Sequence, residues 1–163
     1  MKRIFQNLLY LPLRSRLAFP AAVLQTIKHA VGASEKNHSG ELRFVIEGSL
    51  DIAALWHGTT ARQRAIDVFS QLRVWDTEEN SGVLIYVLLA ERRVEIVADR
   101  GINRRVDKAV WRGICTGMED AFRQGRYADG AVAGVESIGR LLSTHFPAGK
   151  DNPDELDNAP IRL

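Results

Sequence analysis

The sequence predicts an α/β protein, a three-layer α/β/α sandwich in which about four helices flank a small mixed sheet. The first observation behind this prediction is an unbroken apolar run at 83–90, which indicates a strand covered on both faces. The second is the helical spacing of apolar residues before and after that run. A chain of 163 residues that is 45% hydrophobic has the length and the apolar content of one globular domain.

Three strands are predicted, at 41–47, 83–90 and 94–98. A helix at 60–72 connects the first two, and a strand-helix-strand unit of this kind is right-handed with parallel strands. The short connection 91–93 leaves room only for an antiparallel hairpin between the second and third strands.

The helices are predicted from apolar residues that recur three and four positions apart. Helical spacing is found at 17–36, 60–72, 107–124 and 129–145. In the first of these segments the helix is predicted to start near Phe19 or Pro20. Proline suits the first turn of a helix, and Thr59 or Thr60 can cap the second helix.

The domain organisation follows from these elements. Residues 17–146 are predicted to form one domain, preceded by an N-terminal arm at 1–16. The tail at 147–163 is rich in Asp, Asn and Pro and lacks periodicity, so it is predicted to be flexible.

The N-terminal arm contains an apolar stretch at 8–13 that is too short for a secretory signal or a membrane span. The protein is therefore expected to be cytoplasmic and uncleaved. Residues 1–36 carry six Lys or Arg and one Glu beside several leucines. This pattern leaves open a weak peripheral membrane contact, the alternative being an arm that packs on its own domain.

Several kinds of chemistry are excluded by composition and spacing. A net charge of +2 gives no reason to expect nucleic acid as a partner, and a single cysteine rules out an internal disulfide. There is no Gly-rich phosphate loop ending in Lys, and no Arg follows Cys115 at the spacing of cysteine phosphatases. The four histidines are too far apart for a zinc site and are predicted to be surface or structural residues.

A polar cluster is predicted where strand 94–98 ends. Asp99, Asn103, Asp107 and Asp129 are the candidate ligands of Ca²⁺ or Mg²⁺, because hard cations prefer oxygen donors. Arg100 is the candidate group for binding phosphoryl oxygens. In the alternative interpretation Asp99 caps a local turn, Arg100 pairs with it, and Gly101 supplies a positive φ.

The order of motifs along 30–146 resembles the TPM domain family, which is named for a thylakoid lumen phosphatase-like protein, a photosystem II repair protein and a nematode receptor modulator. The similar stretches are Gly82–Tyr86, the turn at Glu91–Arg93, Val94–Ile102, Trp111, Met118, Phe122–Tyr127, and the helix with Gly130, Gly134 and Ile138. Upstream, Glu35 and Ser39–Glu41 resemble the family's turn into its first strand.

The resemblance implies an α/β/α sandwich, an acid-phosphatase activity described for some members, and calcium binding by acidic residues near the end of the sheet. This chain is similar to the short, cytoplasmic bacterial branch of the family. It departs from the family pattern in two places, with Asn80-Ser81 in place of an acidic residue and Asp99-Arg100-Gly101 in place of Gly-Tyr-Gly.

Two functions of different classes follow. The first is a metal-assisted phosphomonoesterase in which Asp99 and Arg100 are catalytic and the acidic cluster holds the ion. The second is a non-catalytic interaction module, a partner of membrane-associated machinery. The expected partner is accordingly a small phosphorylated ligand or another protein.

Overall fold

A computed structural model describes residues 2–149 and 156–163. Its strands are β1 (Leu42–Glu47), β2 (Val83–Leu88), β3 (Arg93–Ala98) and β4 (Ile161–Arg162), and they form one sheet in the order β3-β2-β1-β4. β1 is parallel to β2 and β4, and β2 is antiparallel to β3. The predicted mixed sheet and its three strand directions are confirmed.

The helices of the described residues follow the predicted pattern, with additions. They are α1 (Lys2–Leu8), α2 (Pro12–Ala18), α3 (Ala21–Glu35), α4 (Ile52–Trp56), α5 (Ala61–Gln71), α6 (Arg100–Asn103), α7 (Lys108–Arg123) and α8 (Tyr127–His145). Pro20 is the N-cap residue of α3. Thr60 caps α5 in a reciprocal capping box with Gln63.

The sheet is buried on both faces, as the apolar run at 83–90 predicts. Every residue of β2 is buried, since its side chains alternate between two hydrophobic clusters. One cluster packs against α3, α7 and α8 and includes Phe44, Ile85 and Ile138. The other packs against α4 and α5 and includes Tyr86 and Phe69. The three-layer α/β/α architecture is thereby confirmed.

The chain termini differ from the sequence prediction. The arm at 1–16 contains two short helices, and α2 continues to Ala18. Part of the tail predicted to be flexible is held on the sheet, because Ile161 pairs with Val45 and Leu163 donates a backbone hydrogen bond to Ile46. Ile161 also packs on the second cluster. The apolar segment around it is too short to show a periodicity from which this contact could be predicted. Residues 150–155 of the tail lie outside the described residues.

A buried charge stands at the carboxyl end of β1. Glu47 is 8% exposed and accepts two hydrogen bonds from Arg64, Nε to Oε2 at 2.9 Å and Nη2 to Oε1 at 3.0 Å. The Tyr86 hydroxyl donates to the same Oε2 at 2.5 Å. Burial and the neighbouring Glu47 raise the pKa of Tyr86, so it stays a donor. The network fixes α5 against β1 and β2.

His38 is a buried structural residue, which agrees with one of the two predictions for the histidines. It is fully buried between Ser34 Oγ, 2.9 Å from Nε2, and the carbonyl of Gly40, 2.8 Å from Nδ1. Burial lowers the pKa of its imidazole below the usual 6.5, opposed by the hydrogen bond to Gly40.

The first prediction concerns the buried ion pair. Arg64→Met leaves the Glu47 carboxylate without a cationic partner among the described residues and with the neutral Tyr86 hydroxyl as its donor, and we expect a loss of roughly 2–3 kcal/mol in the free energy of unfolding, measured in urea. Arg62→Met on the same helix is the control, since half of the Arg62 side chain is exposed, its nearest Glu95 oxygen is 3.8 Å away, and it otherwise donates one hydrogen bond to the neutral carbonyl of Ile96. The control should cost less than about 1 kcal/mol. Equal losses in the two variants would contradict a special role for the Glu47 network.

The second prediction concerns pH. The unfolded chain protonates His38 more readily than the folded one, so folding stability should fall as the pH drops through 6.5 toward the lower folded pKa. His38→Gln should reduce this pH dependence of the urea midpoint. His57→Gln, at an exposed histidine, should leave it intact. A pH dependence that is the same in wild type and His38→Gln would refute the assignment.

Candidate functional site

The two ends of the sheet present different chemistry. Gly82 and Asp99 lie at one end, joined by a hydrogen bond of 2.8 Å from Asp99 N to Gly82 O. This is the amino end of β1 and β2 and the carboxyl end of the antiparallel β3. Leu88 and the turn to Arg93 lie at the other end, where the parallel strands β1 and β2 have their carboxyl ends.

Asp99 is a capping residue with one unused oxygen. Its Oδ1 accepts from Arg100 N at 2.6 Å at the start of α6, so the capping role in the alternative interpretation is confirmed. The side chain is 7% exposed, and its Oδ2 is buried with no hydrogen-bond partner among the described residues. Within the same part of the chain, the fully buried Ser81 Oγ at this end of the sheet is also unpartnered. Two such atoms make this end a candidate location for water or a cation.

Gly101 is required for close approach rather than for a positive φ. Its φ lies outside the left-handed region, which corrects the alternative interpretation. A Cβ at this position would lie 2.5 Å from the carbonyl oxygen of Asn80 and 2.6 Å from that of Glu79. The loop before β2 is therefore in contact with the Asp99 turn. Arg100 is exposed and, among the described residues, forms no ion pair with Asp99.

The structure does not gather the other predicted ligands around Asp99. Asp107 is exposed and caps α7 through Ala109 N, and Asn103 is exposed on α6. Asp129 lies at the opposite end of the sheet, two residues after Tyr127, which lines a cavity together with Leu88. The whole length of α7 separates Asp129 from Asp99. In the part of the chain that is described, no group of three or more His, Cys, Asp or Glu is arranged to hold a metal. The four predicted ligands of Ca²⁺ or Mg²⁺ are therefore not gathered into one set, and a metal site at Asp99 stays a prediction.

A cavity of about 400 Å³ lies at the carboxyl end of β2, between the turn to β3, α2 and the facing ends of α7 and α8. We call it the arginine pocket. It is lined by Tyr10, Arg14, Leu17, Ala18, Val87, Leu88, Leu89, Arg92, Arg93, Glu119, Phe122, Arg123 and Tyr127. Open α/β sheets usually bind ligands outside the carboxyl ends of their strands, and this pocket is in that position.

The lining of the arginine pocket is strongly cationic. Four arginines stand around one acidic residue, Glu119. Arg93 Nε and Arg123 Nη2 lie 3.9 and 3.4 Å from Glu119 carboxylate oxygens, and outside the lining Arg93 also pairs with Glu95 at 3.6 Å and Arg123 with Asp120. Arg14 and Arg92 have no carboxylate within ion-pair distance among the residues that the structure describes. The pocket therefore holds uncompensated positive charge, which an anion would neutralise.

Two tyrosines add neutral donors to the pocket. Burial, and then the neighbouring Tyr127, raise the pKa of Tyr10 to about 12 against the opposing effect of Arg14. Tyr10 thus keeps its proton at neutral pH. Tyr127 stacks on Phe122 with ring centres 5.4 Å apart, and both rings contact Phe19 beneath them. The aromatic cluster gives this side of the pocket a rigid base.

Backbone strain occurs within the arginine pocket. Arg92 has a φ of 53°, in the left-handed region that glycine favours. A side chain in this region costs about 1–2 kcal/mol. The same φ occurs at Arg73 and Asn80, which do not line the pocket, so Arg92 is a candidate binding residue because of its place in the lining.

Thiol chemistry has no support at Cys115. Burial, together with Glu95 and Glu119, raises the pKa of the Cys115 thiol to about 11. The side chain therefore stays protonated and is a poor nucleophile at neutral pH.

The arginine pocket was missed by the sequence analysis, although a signal was present. Ligands of α/β sheets usually bind outside the carboxyl ends of the parallel strands, whereas the predicted cluster at Asp99 lies at the amino ends of β1 and β2. Applied to β2, the same rule leads to the Glu91-Arg92-Arg93 turn. The contribution of Arg14 could not be anticipated, since nothing in the sequence places α2 against that turn.

Comparisons with known proteins agree with this fold. The BA42 protein from the psychrophilic bacterium Bizionia argentinensis is 34% identical, with a TM-score of 0.77 over 88% of this chain and 94% of that one. The N-terminal domain of a protein from P. gingivalis has the same fold at 23% identity, with a TM-score of 0.60 over 77% of each chain. No curated protein matches the sequence. The family model for the TPM domain matches residues 18–141, and the chain therefore belongs to the TPM domain family.

Proposed function

We propose that this TPM-domain protein is a non-catalytic module that binds a phosphorylated anion in the arginine pocket. The observation that carries the proposal is that two of the four pocket arginines, Arg14 and Arg92, have no carboxylate within ion-pair distance among the described residues. Guanidinium groups form paired hydrogen bonds with phosphate or carboxylate oxygens, and the neutral hydroxyl of Tyr10 adds a donor. The only acidic lining residue, Glu119, is already bonded to Val94 N and flanked by two arginines.

The pocket contains binding groups but no group suited to catalysis. Its ionisable side chains are arginines, tyrosines and the engaged Glu119, and arginine and tyrosine at neutral pH do not act as general bases. No histidine, cysteine or serine is among the lining residues. Recognition without turnover is the chemistry that this set of side chains supports.

The third prediction tests the pocket through its strained residue. Arg92→Gly should weaken the binding of pyrophosphate, measured by calorimetry in chloride buffer, by roughly 5- to 30-fold, because one charge-assisted interaction is worth about 1–2 kcal/mol at a partly exposed site. The same change should leave the free energy of unfolding unchanged or slightly higher, since glycine relieves the strain at φ 53°.

Arg73→Gly is the matched control. Arg73 also has a φ of 53°, but it follows α5 and lies near the amino end of β2, far from the pocket. The Arg73→Gly variant should bind pyrophosphate as the wild type does. Loss of the exposed pair with Asp76 should change its free energy of unfolding only slightly. Equal affinity of wild type and Arg92→Gly, or no pyrophosphate binding by the wild type, would contradict the proposal.

A second function is favoured by the unpartnered oxygens at the other end of the sheet. The buried Asp99 Oδ2 and Ser81 Oγ support a site for Mg²⁺, which is often bound through one or two carboxylates and retains several waters. Bound there, the ion would supply Lewis-acid chemistry for a phosphomonoesterase, with Arg100 on the exposed first turn of α6 as the group that holds phosphoryl oxygens.

The fourth prediction separates this second function from the first. If Asp99 binds Mg²⁺, magnesium chloride should raise the melting temperature by about 2–4 °C above sodium chloride of equal ionic strength. Asp99→Asn should remove the rise, and Asp129→Asn, at the opposite end of the sheet, should retain it. No rise in the wild type, with no hydrolysis of a generic phosphomonoester, would leave only the anion-binding module.

A further inference from the structure

We propose that α1 and α2, here called the arm helices, dock the protein on an anionic membrane surface and that the arginine pocket receives a lipid phosphate there. The inference rests on the anion-binding function proposed above and names the source of the anion. It is carried by the exposed apolar side chains that border the pocket.

The arm helices and the residues between them expose most of the large apolar side chains on the described surface. Seven of the thirteen exposed ones belong to this segment: Ile4, Phe5, Leu8, Leu9, Leu11, Leu13 and Leu17. Leu9 and Leu17 are each 71% exposed. A concentration of this kind is unusual for a surface that faces only water, and it marks an interaction site.

The arm helices are oriented opposite to ordinary surface helices, with polar groups inward. Asn7 is 2% exposed, and it accepts from Leu50 N at 2.8 Å and donates to Glu91 at 3.0 Å. Arg3 Nε donates to the same Glu91 oxygen at 2.7 Å, and Ser15 is buried. Because the contacts of Asn7 and Arg3 fix the inner side of α1, and α2 buries Ser15 and Ala18, the leucines are held on the outer side of the arm helices.

The apolar surface and the pocket are continuous. A second cavity beside the arginine pocket is lined by Phe5 and Leu9 and shares Tyr10, Arg14 and Arg92 with it. Leu17 lines the arginine pocket itself. Apolar side chains therefore stand around the entrance to a cationic cavity, an arrangement that suits the acyl and phosphate layers of a bilayer leaflet.

Charge selects an anionic membrane over a second copy of this chain. Residues 2–18 contain Lys2, Arg3, Arg14 and Arg16 and no acidic residue. Two copies that meet through this surface would bring arginines of like charge together, which opposes association. A leaflet rich in anionic lipid offers both an apolar layer and negative charge, and it is attracted to basic segments.

The experiment is sedimentation with vesicles. The wild type should bind vesicles of equal parts phosphatidylcholine and phosphatidylglycerol and not vesicles of phosphatidylcholine alone. The variant with Leu8→Gln and Leu13→Gln, neither of which lines a pocket, should bind the anionic vesicles at least roughly tenfold more weakly and pyrophosphate equally well. Ile52→Gln with Trp56→Gln, at residues 67% and 83% exposed on α4, is the matched control and should bind both as the wild type does.

The outcomes separate this inference from the function it rests on. Pyrophosphate binding without vesicle binding overturns the membrane inference and leaves the anion-binding module. Vesicle binding that survives both leucine changes, or that is equal for neutral and anionic vesicles, also overturns it. Self-association that is lost in the leucine variant, without vesicle binding, assigns the surface to a second copy instead. Absence of both pyrophosphate and vesicle binding removes the proposed function as well.

Discussion

The burial of two parallel strands on both faces is the constraint on which the rest of the structure depends. β1 and β2 lie inside the sheet, and all six residues of β2 are buried, so helices must cover both sides. The connection through α4 and α5 covers one face, and α3, α7 and α8 cover the other. Parallel pairing also brings two carboxyl strand ends to one edge, where the turn to β3 and the arm helix α2 enclose the arginine pocket.

Charge is treated differently on the two sides of that edge. On the α5 side, Glu47 is buried and its oxygens are occupied by Arg64 and Tyr86. On the α7 side, Arg14 and Arg92 lie in the pocket without a carboxylate partner among the described residues. The first arrangement holds a helix in place, and the second leaves positive charge for a ligand.

The sequence was sufficient for the sheet and the long helices because their patterns are local. The run at 83–90, the short turn before 94–98 and the cap at Thr60 each predict what the structure contains. The arm helices and β4 were not predicted, since a segment of seven residues or fewer shows little periodicity and depends on tertiary contacts such as that of Asn7 with Leu50. The predicted ligands are not all brought together for a related reason: Asp129 is carried to the far end of the sheet by α7, and the helix length that separates it from Asp99 acts only through the tertiary fold.

A chemical-shift titration of the backbone amides with pyrophosphate tests the central claim most directly, because the two candidate sites lie at opposite ends of β2. The account predicts shifts for 10–18, 87–93 and 119–127, which contain the pocket-lining residues, with little change at 76–82 and 99–103. Shifts concentrated around Asp99 and the loop before β2, with the pocket amides unchanged, would contradict it.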